Sequence, residues 1–205
     1  MGTASLAILA ACGSTETTAE SATTTTAAAD DAETDATTAD TDAGTTDSAE
    51  LQLQHVSLGF VSAYVLVRGS EAAIVDTGTA GSGPAIGQAL TDLGLAPADV
   101  RHIILTHNHG DHVGGLGELE AEMTNAAVYA GVGDVDTIRT SLTLNQVGDG
   151  EEVFGMGVIN TPGHTEGSIS VFDTDTGLLV AGDAINGDGE GGLTGANPDF
   201  TPDMS

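Results

Sequence analysis

The chain has 205 residues and carries 31 Asp and Glu against three Lys and Arg, a formal net charge of −28, with 3% aromatic residues. That length suits one domain with appendages, and three arginines cannot build the basic face that phosphate neutralisation needs, which argues against nucleic acid as a partner. Ten acids precede Leu51 and 21 follow it, so the acidity is general; in roughly 1 M salt the Debye length is about 3 Å and such self-repulsion is screened, which reads as adaptation to a halophilic setting.

Residues 5–11 (SLAILAA) form an apolar run much shorter than the roughly 20 residues that span a bilayer, so residues 1–12 are expected to be a signal peptide. Leu9-Ala10-Ala11-Cys12 resembles the lipobox of bacterial and archaeal lipoproteins. That resemblance implies a lipid anchor on Cys12 and a location on the outer face of the cytoplasmic membrane. Residues 13–50, mostly Thr, Ala, Asp and Glu with no aromatic residue, cannot supply a core. They are expected to be a disordered acidic linker, although the tail of a secreted or cytoplasmic protein would have the same composition.

A folded domain is expected over 51–205. Residues 61–67 (VSAYVLV) and 72–75 (AAIV) predict a β-hairpin turning at Arg68-Gly69-Ser70. Asp76-Thr77-Gly78 breaks the second strand. Over 84–93, Ile86, Ala89, Leu90 and Leu93 fall at helical spacing, with Pro84 suited to the first turn and Gly94 to the stop. Residues 100–106 (VRHIILT) predict a buried strand, and Asp111 or His112 opens a second helix, where an aspartate complements the helix dipole. Further strands are predicted at 126–130 and 156–161, followed by a hairpin of 168–172 and 178–181 turning at Asp175-Thr176-Gly177. Thr201-Pro202 reads as a helix start close to the last residue, so the chain reads as a fragment. The order of elements is that of a mixed α/β domain.

Thr106 to Gly115 reads THNHGDHVGG, placing three imidazoles and a carboxylate within six residues. Histidines two apart at a strand end can point to one side and chelate one ion, while Asp111 and His112 can face a second. Imidazole and carboxylate donors suit zinc, and iron or manganese accept the same set. Thr161-Pro162-Gly163-His164 and Ala181-Gly182-Asp183 each place a further donor just past an apolar strand, where rigid scaffolds present functional groups. His55 and His102 fall outside these motifs and read as ordinary.

These three motifs, in this order, resemble the metallo-β-lactamase superfamily from about Leu51 to Asp203. The resemblance implies an αβ/βα four-layer sandwich, incomplete at the C-terminus, with metals at one edge between its halves. It implies that His107, His109 and His164 bind one ion, that Asp111 and His112 bind a second, that Asp183 bridges them, and that Asp76 orients the site from behind. It also implies a further histidine beyond the helix starting near Pro202, which would leave the second site one ligand short here. The implied reaction is hydrolysis of an ester, lactone, thioester or amide by a metal-bound hydroxide that Asp111 orients. An aspartate at position 183 points to the glyoxalase-II-like or lactonase-like branches, and the scarcity of Lys and Arg to a neutral or small substrate. Two other readings share the motifs: an iron-dependent oxidoreductase, and a metal-binding lipoprotein without catalysis.

Overall fold

The computed structural model describes residues 7–9, 50–188, 190–199 and 201; Cys12, the tract over 13–49 and the helix expected after Thr201 lie outside them. In chain order the described strands and helices are β1 (Ala7–Leu9), β2 (Gln52–Ser57), β3 (Ser62–Arg68), β4 (Glu71–Val75), α1 (Gly83–Asp92), β5 (Val100–Leu105), α2 (Gly110–Val113) and α3 (Leu116–Leu119). They continue with β6 (Ala127–Gly131), β7 (Thr143–Val147), β8 (Glu152–Val153), β9 (Met156–Asn160), β10 (Ile169–Asp173), β11 (Leu178–Val180), β12 (Ile185–Gly187) and β13 (Leu193–Gly195).

A six-stranded sheet runs β2-β3-β4-β5-β6-β7 and a five-stranded sheet runs β1-β11-β10-β9-β8, while β12 and β13 form a separate hairpin. In the larger sheet β2, β3 and β4 pair antiparallel, as the turn at Gly69 allows, and β4, β5, β6 and β7 pair parallel. Parallel pairing puts the C-terminal ends of β4, β5 and β6 side by side on one edge, the edge where open α/β sheets hold their ligands. In the smaller sheet the apolar run near the N-terminus supplies β1, which pairs parallel with β11.

The middle strands are buried on both faces, which is why β3 and β5 read as apolar runs rather than as alternation. One face of the larger sheet, through Val65, Ile74, Ile103 and Val128, packs against Ile86 and Leu90 of α1 and Leu116 and Leu119 of α3. Its other face, through Tyr64, Leu66, Val75 and Ile104, packs against Met156, Val158, Ile169, Val171 and Val180 of the smaller sheet. Helix, sheet and sheet are three layers of the expected sandwich. The outer face of the smaller sheet carries no α-helix among the described residues.

Most predicted elements fall within a residue or two of their observed bounds. Strands β2, β7 and β8 and the β12-β13 hairpin were not foreseen, because they are short, edge-lying or partly exposed and lack a sustained apolar pattern. The second helix begins at Gly110 and divides into α2 and α3 around Gly114 and Gly115.

Candidate metal centre

The motif residues lie in the segments that follow strand ends, with Asp111 and His112 on α2. Asp76 follows β4 and adopts φ of 60°, with its carboxylate bonded to Thr106 and His112. His107 follows β5 by one residue, Thr106. The amide of His112 donates to the His109 carbonyl at 2.9 Å, closing the turn that starts α2. His164 lies on the turn after β9, and Asp183 lies two residues after Ala181 at the end of β11.

Two contacts bring the sheets together here. The Ile169 amide donates to the Thr106 carbonyl at 2.8 Å, joining β10 to the end of β5. Gly182 has φ of 53°, and a β-carbon on it would strike the Thr106 side chain, so only glycine lets the end of β11 approach this closely.

The result is one cluster. Donor atoms of His107, His109 and His164 lie within 4.8 Å of one another, and so do those of His107, His112 and Asp183. His109 Nδ1 is 2.8 Å from His164 Nε2. Asp183 reaches both groups, with Oδ1 3.3 Å from His112 Nε2 and Oδ2 3.4 Å from His164 Nε2. Asp111 stands further off, with Oδ2 4.0 Å from His112 Nε2 and its side chain 34% exposed, and it belongs to neither three-donor group.

Behind the cluster the hydrogen bonds fix which nitrogen each ring presents. Asp76 Oδ1 accepts from the Thr106 amide, and its Oδ2 accepts from the Thr106 hydroxyl and from His112 Nδ1, all at 2.8 Å. Because that hydroxyl donates to Asp76, its oxygen is left to accept from His107 Nδ1, 3.1 Å away. On the far side the Thr201 hydroxyl donates to the Asn197 carbonyl at 2.7 Å and so accepts from His164 Nδ1 at 3.4 Å. This network assigns the proton to Nδ1 in all three rings and turns Nε2 toward the cluster.

The test of a metal site is whether those nitrogens have another use. His107 Nε2 is buried and has no hydrogen-bond partner among the described residues, a costly arrangement unless something accepts its lone pair, and the buried His112 Nε2 has the Asp183 carboxylate 3.3 Å away. Burial pushes His107 down to about 2, helped by the neighbouring His112, so its ring stays neutral and able to ligate. For His112 burial opposes charging, but Asp76 and then Asp183 outweigh it and push the ring up to about 10. Asp183 is held below the usual carboxylate range, because contacts from His112, then His107 and His164, overcome its burial. A neutral His107, a His112 whose proton a bound cation would displace, and an ionised carboxylate form a donor set that a divalent cation fits. The cluster can hold a metal.

A cavity of about 650 Å³ opens onto these residues. Its wall includes Asp111, Asp183, Asn186, Asn197 and Phe60, the last on the loop between β2 and β3 with 65% of its surface exposed. None of the lining residues is Lys or Arg. Phe60, Asn186, Asn197 and Thr106 were not singled out from the sequence; an aromatic ring between two strands, in a chain with only four Phe, was the one available signal.

A profile described as the metallo-beta-lactamase superfamily matches residues 56–204. The uncharacterized protein YobT of Bacillus subtilis is 33% identical over 147 residues, covering 61% of this chain and 62% of that protein. A hydroxyacylglutathione hydrolase of Xylella fastidiosa is 38% identical over 108 residues, covering 48% of this chain and 38% of the hydrolase. The chain thus spans at most about three fifths of the length of these relatives. Among solved structures, the metallo-beta-lactamase SMB-1 bound to 2-mercaptoethanesulfonate superposes with a TM-score of 0.54 at 28% identity, covering 62% of this chain and 58% of that one. With the profile extending over most of the folded region and the strand-end histidines gathered at one sheet edge, the chain belongs to the metallo-beta-lactamase superfamily.

Proposed function

We propose that this protein is a zinc-dependent hydrolase of small neutral acyl compounds, an ester, lactone, thioester or amide. The observation that carries the reading is the buried His107 Nε2, which has no hydrogen-bond partner among the described residues and belongs to both three-donor groups, that with His109 and His164 and that with His112 and Asp183. His107, His109 and His164 would hold one ion, His112 and Asp111 a second, with Asp183 reaching both. Bound there, zinc supplies a water acidic enough to attack near neutral pH and a Lewis acid for the scissile carbonyl.

The chain's own residues do the rest. The Asp76 and Thr106 network holds His107 and His112 in the ligating tautomer. Asp111, partly exposed at the cavity wall, is placed to accept a proton from the attacking water and return it to the leaving group. Phe60 offers an apolar wall to the acyl or leaving-group chain. No Lys or Arg lines the cavity, so no cationic side chain is there to receive an anionic substrate, which supports a neutral one. The similarity to a hydroxyacylglutathione hydrolase supports a thioester or a related acyl compound within that class.

The test is a panel of esters, lactones, thioesters and amides, assayed in high salt with zinc-loaded protein and again after chelation. Turnover of neutral substrates that disappears on chelation supports the reading. Zinc binding without turnover of any substrate would favour a non-catalytic metal-binding protein. A second reading rests on His107, His112 and Asp183, because two histidines and one carboxylate also suit non-haem iron. Iron in the purified protein, with oxygen consumption in place of hydrolysis, would favour an oxidoreductase.

The reading includes export and a lipid anchor on Cys12, supported by the lipobox-like sequence alone. Cleavage before Cys12 would remove β1 and its pairing with β11. Mass spectrometry of the membrane fraction decides it, since an intact N-terminus without lipid rules the anchor out.

A further inference from the structure

Asp134 lies outside every motif discussed so far, three residues past the end of β6 and 2% exposed. Its carboxylate accepts three hydrogen bonds. Oδ2 takes the Asn108 amide at 3.0 Å and the Thr165 hydroxyl at 2.7 Å, and Oδ1 takes the Gly167 amide at 3.0 Å. Asn108 stands between His107 and His109, and Thr165 follows His164, so one buried carboxylate grips both segments that carry the first three-histidine group.

The packing shows how closely this grip is fitted. A β-carbon on Gly131 would strike the Gly167 carbonyl, and one on Gly167 would strike the Asp134 amide. The backbone after β6 therefore packs directly against the turn after His164. Around it, the Asp134 amide donates to the Gly131 carbonyl at 3.0 Å, and the Thr137 hydroxyl donates to the Asp134 carbonyl at 2.7 Å. Thr137 Oγ1 in turn accepts from the Asn108 side chain at 2.9 Å. The Asp134 backbone is thus fixed before its side chain reaches for the two loops.

We infer that Asp134 is a positioning residue that sets the separation between His107 and His109 on one loop and His164 on the other, and so governs the affinity of the first metal site selectively. The inference rests on the metal reading above. The second group shares His107, but its other imidazole is steadied from elsewhere, because Asp76 holds His112. A carboxylate is required, since an amide at 134 would turn an NH2 toward at least one of the three donors and leave that buried donor without an acceptor. Loss of a group that orients ligands from behind typically lowers metal affinity by about 10- to 100-fold.

The experiment is a two-step zinc titration against a competing chelator on the full chain, repeated with cobalt so that each site reports through its absorption spectrum. Asp134→Asn is expected to weaken the step assigned to His107, His109 and His164 by about 10-fold or more, and the other step, which shares only His107, several-fold less. Thr165→Val, which removes one donor and keeps the carboxylate, should weaken the same step less and serves if Asp134→Asn does not fold. Glu118→Gln is the comparison for a merely structural role. Glu118 Oε2 accepts the Gly83 amide at 2.9 Å at the start of α1, so its loss should lower thermal stability without dividing the two steps.

If Asp134→Asn and Thr165→Val bind the first ion as the natural protein does, or if both steps weaken together in proportion to lost stability, the inference is wrong. If the natural protein itself takes up no ion through these histidines, the metal reading beneath it is wrong instead.

Discussion

Asp76 Oδ2 lies 2.8 Å from His112 Nδ1, and neither side chain has measurable exposure. The same oxygen accepts the Thr106 hydroxyl, so a single carboxylate oxygen orients His112 directly and His107 through one intervening hydroxyl. Asp76→Asn would present an NH2 or a lone oxygen to these donors and release the tautomer of both rings. The expected outcome is about a 10- to 100-fold loss of zinc affinity, greatest at the His112 group, measured by chelator competition. Unchanged affinity would mean that the rings are held by packing alone.

The motif residues were legible because catalytic metals impose local spacing: H-x-H-x-D-H needs one turn, and His164 and Asp183 each need only a strand end before them. Asp134 was not legible, because its partners are 26 to 33 residues away and no local pattern marks it. Thr106 was read only as the end of a strand, although its hydroxyl links Asp76 to His107. The central strands were legible from burial on both faces; β7, exposed or half-buried along all but its last residue, was not. Apolar periodicity reports burial, and it says nothing about a strand whose place is fixed by backbone pairing with a neighbour.

The two sheets share an ion pair remote from the metal centre. Arg68 at the end of β3 donates to Asp173 Oδ1 at 2.6 Å and to the Phe154 carbonyl at 3.2 Å, with the Asp173 side chain 2% exposed. Removing one partner of a buried pair strands the other, so Arg68→Met should cost about 3 kcal/mol of stability, read from urea unfolding. A cost near zero would show that water replaces the guanidinium.

The same pair fixes a pH dependence. Burial alone would raise the Asp173 carboxyl, but the Thr176 hydroxyl and amide and the Arg68 guanidinium hold it below the usual range. A depressed carboxylate contributes stability that is fully present above its unfolded value, about 4, and is lost as pH falls through the folded value. Asp173→Asn should therefore lose stability at neutral pH and show a shallower decline below about pH 4 than the natural protein. Parallel acid-unfolding curves would contradict this.

Phe60 stands at the cavity mouth with most of its surface in solvent. Covering it with an apolar acyl chain should contribute about 1 to 2 kcal/mol, so Phe60→Ala should raise KM by roughly 5- to 30-fold for long-chain substrates and little for acetyl compounds. The metal ligands are untouched, so kcat should hold. An equal effect at every chain length would place the bound substrate away from this ring.

Salt should stabilise the domain. Twenty-one acids beyond Leu51 face only three arginines, and raising salt from about 0.1 to 1 M shortens the Debye length from about 10 to 3 Å. The melting temperature should climb steeply with sodium chloride over that range. Sucrose at matched water activity should give a smaller rise, because it strengthens burial without screening charge. Equal rises in both would remove the electrostatic argument for a halophilic setting.

Zinc should stabilise more than it activates, because the groups that receive it are otherwise a liability to the fold. His107 Nε2 lies buried without a hydrogen-bond partner among the described residues, and the buried His112 Nε2 lies 3.3 Å from an ionised Asp183. A ligand that binds only the folded chain adds RT ln(1 + [L]/Kd), about 2.7 kcal/mol at 100 times Kd, which for a domain of this size raises the melting temperature by several degrees. His107→Ala removes a ring common to both donor groups, so it should abolish that rise while costing the apo protein little. Asp111→Asn, at a partly exposed residue in neither three-donor group, should keep most of the rise and lose turnover instead. If zinc leaves the melting temperature of the natural protein unchanged, the buried nitrogens have some other purpose and the metal assignment fails.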